Sequence, residues 1–260
     1  MTGKQWEAFC AFRDEYKSLC EKWQRHSTEL YPIQKRLAGN TSQSYTVETP
    51  VVYNRAFDDV RESDEIRYII VADNPGKQEQ LQLNQRYLVG LSGKLAVRFF
   101  ERTPCLHTDF RKNVLVLNKT PIHTAKTALL FDVFQLGSGI VKDLILETQR
   151  ECARLAFTLH EGLLDSPDAQ FPQLWIIGYA EMKRGKILCT YRDELLKLYK
   201  NRPSWSKVFV YQHFSMNRFS IELNNFLKDN NTNDVVEALG EIGRKHKEAV
   251  FSRMPSSLGL

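Results

Sequence analysis

The chain has 260 residues, of which 42% are hydrophobic and 26% charged; these values are typical of globular proteins and exclude a disordered or fibrous chain. No apolar run approaches the roughly 20 residues that span a bilayer, and the N-terminus lacks the apolar centre of a secretory signal. We therefore expect a cytoplasmic protein without membrane contact. The net charge of +5 favours a nucleic-acid partner only slightly.

The N-terminal segment carries apolar residues at three- and four-residue steps from Trp6 to Arg36. This spacing predicts a helical face that packs on the main domain. A polar stretch from Gly39 to Tyr45 predicts a loop. We interpret residues 1–260 as one domain, which we expect to be a monomer, with residues 1–50 as a helical extension. Residues 230–260 form a C-terminal helix or tail, helical over Asp234–Arg253.

Four short runs rich in β-branched and aromatic residues predict buried strands. They are Arg67–Ala72, Asn113–Asn118, Leu174–Gly178 and Lys207–Gln212. Segments with helical spacing alternate with them: Lys94–Arg102, Val141–Leu164, Thr190–Lys200 and Ile221–Lys228. This alternation predicts an α/β fold with three α/β/α layers around a central four-stranded, mainly parallel sheet.

Polar residues follow three of the four predicted strands. The segments are Asp73-Asn74-Pro75-Gly76, Asn118-Lys119-Thr120-Pro121 and His213 to Arg218. In open α/β sheets the ligand crevice lies outside the carboxyl ends of the strands, so these residues predict a site there. The chain contains no phosphate-loop motif and no strand-following G-x-G-x-x-G, which disfavours nucleotide chemistry of those kinds.

These segments resemble the signatures of the uracil-DNA glycosylase superfamily. VADNPGKQEQLQLNQRYLVGLSGKL is similar to the first signature, with Asn-Pro-Gly as in the mismatch-specific and single-strand-selective branches and a later part as in the iron–sulfur branch. NVLVLNKTP resembles the strand that ends in the uracil-reading Asn, and QHFSMNR resembles the His-Pro-Ser signature. The resemblance covers Ile69 to Arg218 and implies a monofunctional DNA glycosylase that acts on flipped-out uracil or a related deaminated base.

The resemblance implies three catalytic positions. Asn74 matches the residue that positions the attacking water, and Asp73 stands beside it where the iron–sulfur branch has a catalytic Glu, so either side chain could hold the water. His213 would stabilise the negative charge that develops on the departing base, as a neutral donor or as a cation.

The resemblance also implies how the base and the DNA are held. Asn118 would read uracil through its amide, Tyr87 would stack on the flipped base, and Gly76 would let the backbone approach it closely. Ser215, Met216, Asn217, Arg218 and Lys119 would contact DNA, with Met216 as an apolar wedge and Lys119 on a basic rim. Phe214 stands where the signature has Pro.

No metal or other cofactor is expected. The five cysteines are scattered, without a C-x-x-C pair, and the positions that hold the cluster in the iron–sulfur branch lack them. His107 and His123 match no motif, and we interpret them as surface or loop residues. Two other functions stay open: a weak or inactive relative that binds DNA or a nucleobase without cleaving it, and an unrelated α/β protein that binds mononucleotides.

Overall fold

A computed structural model describes residues 1–166 and 169–252 of the chain. Its central sheet has four strands: β1 (Tyr68–Ala72), β2 (Val114–Asn118), β3 (Gln173–Ile177) and β4 (Val208–Tyr211). Every neighbouring pair is parallel, and the order across the sheet is β2-β1-β3-β4. The predicted α/β fold is confirmed, and each predicted strand ends within one residue of the observed one.

The helices flank this sheet. They are α1 (Gly3–Gln24), α2 (Ser27–Gly39), α3 (Leu91–Glu101), α4 (Ala128–Leu136), α5 (Gly139–Leu163), α6 (Cys189–Tyr199), α7 (Arg218–Asp229) and α8 (Val235–Phe251). The predicted N-terminal helical segment is confirmed as two helices that meet near Arg25. Helix α4 was not predicted, and Arg253, the last residue of the predicted C-terminal helix, lies outside the described residues.

The two faces of the sheet differ in the side chains that they bury. On one face Trp175 lies between Tyr68 and Tyr211, with ring centroids 4.5 and 4.9 Å apart, and Phe100 of α3 and Phe219 of α7 stack on Trp175. Because side chains alternate along a strand, the intervening aliphatic residues face the opposite layer, where α5 packs against α1 and α6. Both faces are therefore covered, as a parallel sheet requires.

The strand order places a crevice at the centre of the sheet. The chain leaves β1 for β2 on one side and then returns across β1 to β3 on the other. The connections therefore diverge between the carboxyl ends of β1 and β3, which is where ligands bind in folds of this kind. None of the helices in the described ranges is long and apolar enough to cross a membrane.

Candidate active site

A buried ion pair lies at this point of divergence. The Nζ of Lys119, just after β2, donates to Asp73 Oδ1 at 2.6 Å and to the carbonyl oxygens of Ile177 and Gly178 at 2.8 and 3.0 Å. Lys119 thus reaches beneath the end of β1 to the end of β3. Burial lowers the pKa of Lys119, and the charge of Asp73 opposes that shift. With three acceptors for its three N–H groups, Lys119 is best satisfied as an ammonium ion.

The prediction that Lys119 lies on a DNA-facing rim is wrong. Its side chain is fully buried, because the residue after Asn118 turns inward to Asp73 rather than outward. A buried ammonium ion already surrounded by oxygen atoms contacts no phosphate.

Gly178 makes room for the carboxylate of this pair. It adopts a positive φ of 76°, and a Cβ atom there would lie 2.9 Å from Asp73 Oδ2. Any side chain at this position would therefore press on the carboxylate and strain the backbone. No role was predicted for Gly178, although a glycine at the end of a predicted strand indicates such close approach.

Asn74 is held with one face of its amide open. Its Nδ2 donates to Thr124 Oγ1 at 2.8 Å and to the carbonyl oxygen of Ile122 at 3.2 Å. No donor in the described part of the chain reaches its Oδ1, which can accept a hydrogen bond from a water molecule. Asp73 differs, since Lys119 occupies Oδ1 and the hydroxyl of Thr127 donates to Oδ2 at 3.2 Å.

Asn118 is buried without a hydrogen bond. The residue is 3% exposed, and neither Nδ2 nor Oδ1 has a partner among the residues that the structure describes. It ends β2 opposite Ala72 of β1, one residue before Lys119. Leaving a buried polar group unpaired costs about 1–3 kcal/mol, and both ends of this amide are unpaired. Such a side chain is the expected form of a group that binds a ligand with one donor and one acceptor.

His213 follows β4 and is neutral with a defined tautomer. Its Nδ1 accepts from the backbone N–H of Ser215 at 3.1 Å, which places the ring proton on Nε2. Burial lowers the pKa of His213; Asp73 opposes this shift and Lys119 adds to it. The electrostatic influence of both residues places His213 near the buried ion pair. At neutral pH it presents an N–H donor.

The loop after His213 has an unusual backbone. Met216 and Asn217 both lie in the left-handed region, with φ of 54° and 55°. This region is common for Asn but a genuine outlier for a bulky residue, and Met216 is 66% exposed. Ser215 is half-buried, whereas Asn217 and Arg218 are exposed. Strain of this kind accumulates at functional loops.

Phe214, which stands where the signature has Pro, is a buried residue of the core. Its ring is 1% exposed and packs on Phe99 and Phe219, at centroid distances of 6.0 and 4.6 Å. The loop is therefore anchored by an aromatic residue in the core instead of by the fixed φ of a proline.

Tyr87 and Gly76 do not join this group in the expected way. Tyr87 is 1% exposed, and its hydroxyl donates to Val52 O and contacts the Tyr16 hydroxyl, each at 2.6 Å. Its ring therefore presents no exposed face for stacking in this conformation. Gly76 has open space where a side chain would stand, so the protein itself does not require glycine there.

Two buried residues for which no functional role was predicted, Glu79 and His123, hold the segment after β1. Glu79 accepts from the N–H groups of Gly76 and Leu88 at 3.1 and 2.9 Å, and burial raises its pKa to about 7. His123, expected to be a surface or loop residue, lies in a loop but is fully buried. Its Nδ1 faces Pro75 O at 2.8 Å, and burial lowers its pKa to about 4.

Compared with models of known protein families, the chain matches none. No curated protein is significantly similar to it in sequence. Within residues 1–166 and 169–252, no three His, Cys, Asp or Glu side chains come together in a way that could hold a metal ion. Function is therefore inferred from the geometry of four features: Asn118, the Asp73–Lys119 pair, Asn74 and His213.

Proposed function

We propose that this protein is a DNA glycosylase that hydrolyses the N-glycosidic bond of a flipped-out uracil or a related deaminated base. The observation that carries the proposal is the buried, unpartnered amide of Asn118 at the carboxyl edge of the sheet. Uracil offers N3–H as a donor and O4 as an acceptor, and these two groups complement Oδ1 and Nδ2 of one amide. Cytosine reverses the pattern, so pairing with cytosine would require the opposite orientation of the amide.

The reaction needs stabilisation of charge on both sides of the breaking bond. Water oxygen bonds to C1′ of the sugar, the C1′–N bond breaks, and its electron pair leaves with the base. The water gives up one proton to solvent, and the base anion takes up one proton after it departs. The Nε2–H of neutral His213 is a suitable donor to O2 of the departing base. Because His213 already has its proton on Nε2, it stabilises the anion without a prior proton transfer.

Asn74 is better suited than Asp73 to position the water. The open Oδ1 of Asn74 accepts one water hydrogen, while both oxygens of Asp73 are engaged by Lys119 and Thr127. An amide is a poor base, so catalysis depends mainly on stabilising the leaving group. Asp73 and Lys119 then act as a neutral pair that fixes the ends of three strands, and we expect a slow enzyme.

The loop Ser215–Arg218 is suited to help extract the base from the DNA helix. An exposed apolar side chain on a strained backbone is suited to fill the space that a flipped nucleotide leaves. Arg218 and the hydroxyl of Ser215 are available for sugar-phosphate oxygens beside it. The apolar wedge and the base-reading amide thus belong to loops at the same edge of the sheet.

The test is release of uracil from a labelled single strand and from a duplex with a U·G pair. We expect abasic product from the wild type, reduced about 10²–10³-fold in Asn118→Ala and His213→Ala. Asn233→Ala and His107→Ala change exposed residues of the same types and should leave the rate unchanged. No product at high enzyme concentration would refute the catalytic proposal.

The alternative is a relative that binds a nucleobase or DNA without cleavage. The burial of Tyr87, the residue expected to stack on the base, favours this alternative. Without a stacked aromatic ring the base would be held less firmly in the position that cleavage requires. Uracil-dependent affinity for the oligonucleotide without base release, lost in Asn118→Ala, would identify this case. Affinity for mononucleotides above that for DNA would instead favour unrelated nucleotide chemistry.

A further inference from the structure

A second surface feature begins at the loop Ser215–Arg218 and runs away from the site. It is a groove of about 470 Å³ between α3 and α7. Asn217, in the strained loop, lines one end, and Leu227 and Val235 lie toward the other. The groove is therefore continuous with the loop that we assign to DNA.

The groove carries positive charge without a balancing carboxylate. Arg98 of α3 and Arg102, which directly follows α3, line the groove and are exposed, and none of its lining residues in the described ranges is acidic. Neither guanidinium forms an ion pair with any residue of the described ranges. The two arginines are four residues apart, and Arg102 continues α3 as its C-cap in right-handed helical conformation, which places both on the same face about 5–6 Å apart at Cβ.

The opposite wall and the floor complete the chemistry of a nucleic-acid site. Across from the arginines, α7 contributes the hydroxyl of Ser220 and the amide of Asn224. Both groups can donate hydrogen bonds to phosphate and sugar oxygens. The floor is apolar, with Phe99 and Leu223 beneath. Donors and cations along one edge and an apolar base suit a backbone that presents phosphates to one side.

We propose that this groove binds the sugar-phosphate backbone of the DNA strand that carries the target base, outside the flipped nucleotide. The inference extends the proposed function, since it gives the path of the strand as it leaves the site. Arg98 and Arg102 contact successive phosphates, and Ser220 and Asn224 fix the strand across from them. Binding in the groove is independent of base identity.

The experiment uses an oligonucleotide of 20 bases without uracil, so that it does not depend on catalysis. Binding is followed by fluorescence anisotropy over a series of salt concentrations for the wild type and for Arg98→Gln/Arg102→Gln. We expect affinity to fall about tenfold near 0.1 M salt, and the slope of log affinity against log salt to fall by about 1.4, or 0.7 for each lost phosphate contact.

The matched control is Arg25→Gln/Arg150→Gln. It removes two exposed arginines, one at the end of α1 and one on α5, and changes the net charge by the same amount as the groove variant. It should alter affinity less than twofold. Equal weakening by both double variants, or no binding by the wild type, would overturn the groove proposal. So would a glutamate 20-mer that binds with the affinity of the DNA and the same dependence on Arg98 and Arg102, because the site would then accept acidic peptides.

The exposed thiol of Cys105 gives a second measurement on the unmodified chain. Cys105 lines the groove, and we expect the oligonucleotide to slow its alkylation by iodoacetamide several-fold, with no change at the half-buried Cys10. Unchanged alkylation at saturating DNA would contradict the proposal. Groove-dependent binding without uracil release would refute the glycosylase alone, and uracil release with unprotected Cys105 would refute the groove alone.

Discussion

Two buried side-chain amides lie on different layers of this protein and have opposite surroundings. Gln149, in α5, donates to Ile187 O at 2.9 Å and accepts from Tyr191 N at 3.2 Å. Asn118, at the carboxyl edge of the sheet, has neither bond within the described chain. Both residues are essentially inaccessible, so burial alone does not separate a structural amide from a binding one.

Two histidines, the buried His160 and the half-buried His213, repeat this contrast. His160, between α5 and α6, has the Tyr199 hydroxyl at Nδ1 and Pro172 O at Nε2, at 2.6 and 3.2 Å. Among the described residues, His213 has a partner at Nδ1 alone. Gln149 and His160 are therefore satisfied within the helical layer, although the buried Tyr191 hydroxyl beside them has no partner in the described chain. At the carboxyl edge a ring donor and a whole amide are open together. This difference is the physical reason to place function at the edge.

Loss of the Lys119 charge should have the largest effect on stability. Lys119→Met leaves the Asp73 carboxylate and two carbonyl groups without their donor, and breaking such a buried pair costs about 3–5 kcal/mol. The measurement is the free energy of unfolding in urea. Asp73→Asn/Lys119→Met, which removes both charges, should recover part of the loss.

An exposed ion pair serves as the control for that prediction. Lys22 and Glu147 are 2.8 Å apart, with the Lys22 side chain 57% exposed, and Lys22→Met should cost less than about 1 kcal/mol. Equal losses for the two lysine variants would show that Lys119 does not hold the strand ends together.

Acid should destabilise the helical layer through His160. Burial lowers its pKa to about 4 from an ordinary 6.5, so folding favours the neutral ring. Its contribution is complete above pH 6.5 and is lost as pH falls toward 4, by about 3 kcal/mol. In His160→Gln the fall in unfolding free energy between these values should be correspondingly smaller, and in His107→Gln it should match the wild type.

Glu79 acts in the opposite direction. Its pKa is raised to about 7 from 4.5, so its favourable contribution is present below pH 4.5 and is lost as pH rises through 7. Glu79→Gln should therefore steepen the acid-induced loss of stability. A shallower loss in this variant would contradict the assigned direction.

Replacement of the two amides by leucine should separate binding from structure. Gln149→Leu leaves Ile187 O and Tyr191 N unpaired and should cost about 1–3 kcal/mol while uracil release is retained. Asn118→Leu removes an amide that has no partner, so stability should be unchanged or higher while uracil release is lost. Urea unfolding and the oligonucleotide assay check both variants. A large loss of stability in Asn118→Leu would mean that the amide is structurally satisfied after all.

The sequence predicted the scaffold better than the direction of individual side chains. Four β-branched runs and the helical spacing between them were enough for the sheet, because burial on both faces demands that composition. Helix α4 was missed because most of its nine residues are apolar, so the sequence shows no clear helical alternation of apolar and polar residues.

The site was predicted in part, for a similar physical reason. The ends of the strands identify which residues reach the crevice. Three expected residues lie at or just after a strand end: Asp73, Asn118 and His213. Spacing does not say whether the next residue turns in or out, so Lys119 was placed on the surface. The burial of Tyr87 depends on Tyr16, 71 residues earlier in the chain, and no local pattern contains that contact.

The smallest expected effect concerns Met216. At this residue the backbone is strained, whereas at Asn118 and His213 hydrogen-bonding groups are unpaired within the described residues. Met216→Gly should raise the free energy of unfolding by about 1 kcal/mol, because glycine adopts the left-handed conformation without the Cβ clash that other residues suffer. Met216→Ala keeps that clash and should leave stability nearly unchanged, so the difference between the variants isolates the backbone term. Both lose the exposed apolar side chain.

Both Met216 variants should therefore release uracil from duplex more slowly than the wild type and from a single strand at the same rate, since only the duplex requires a wedge. If Met216→Gly is more stable and equally active on duplex, the strained loop is not a wedge. The strain would then belong to Asn217 and the entrance of the α3–α7 groove. If stability and duplex activity change in opposite directions, the edge keeps this conformation at a cost in stability because the DNA requires it.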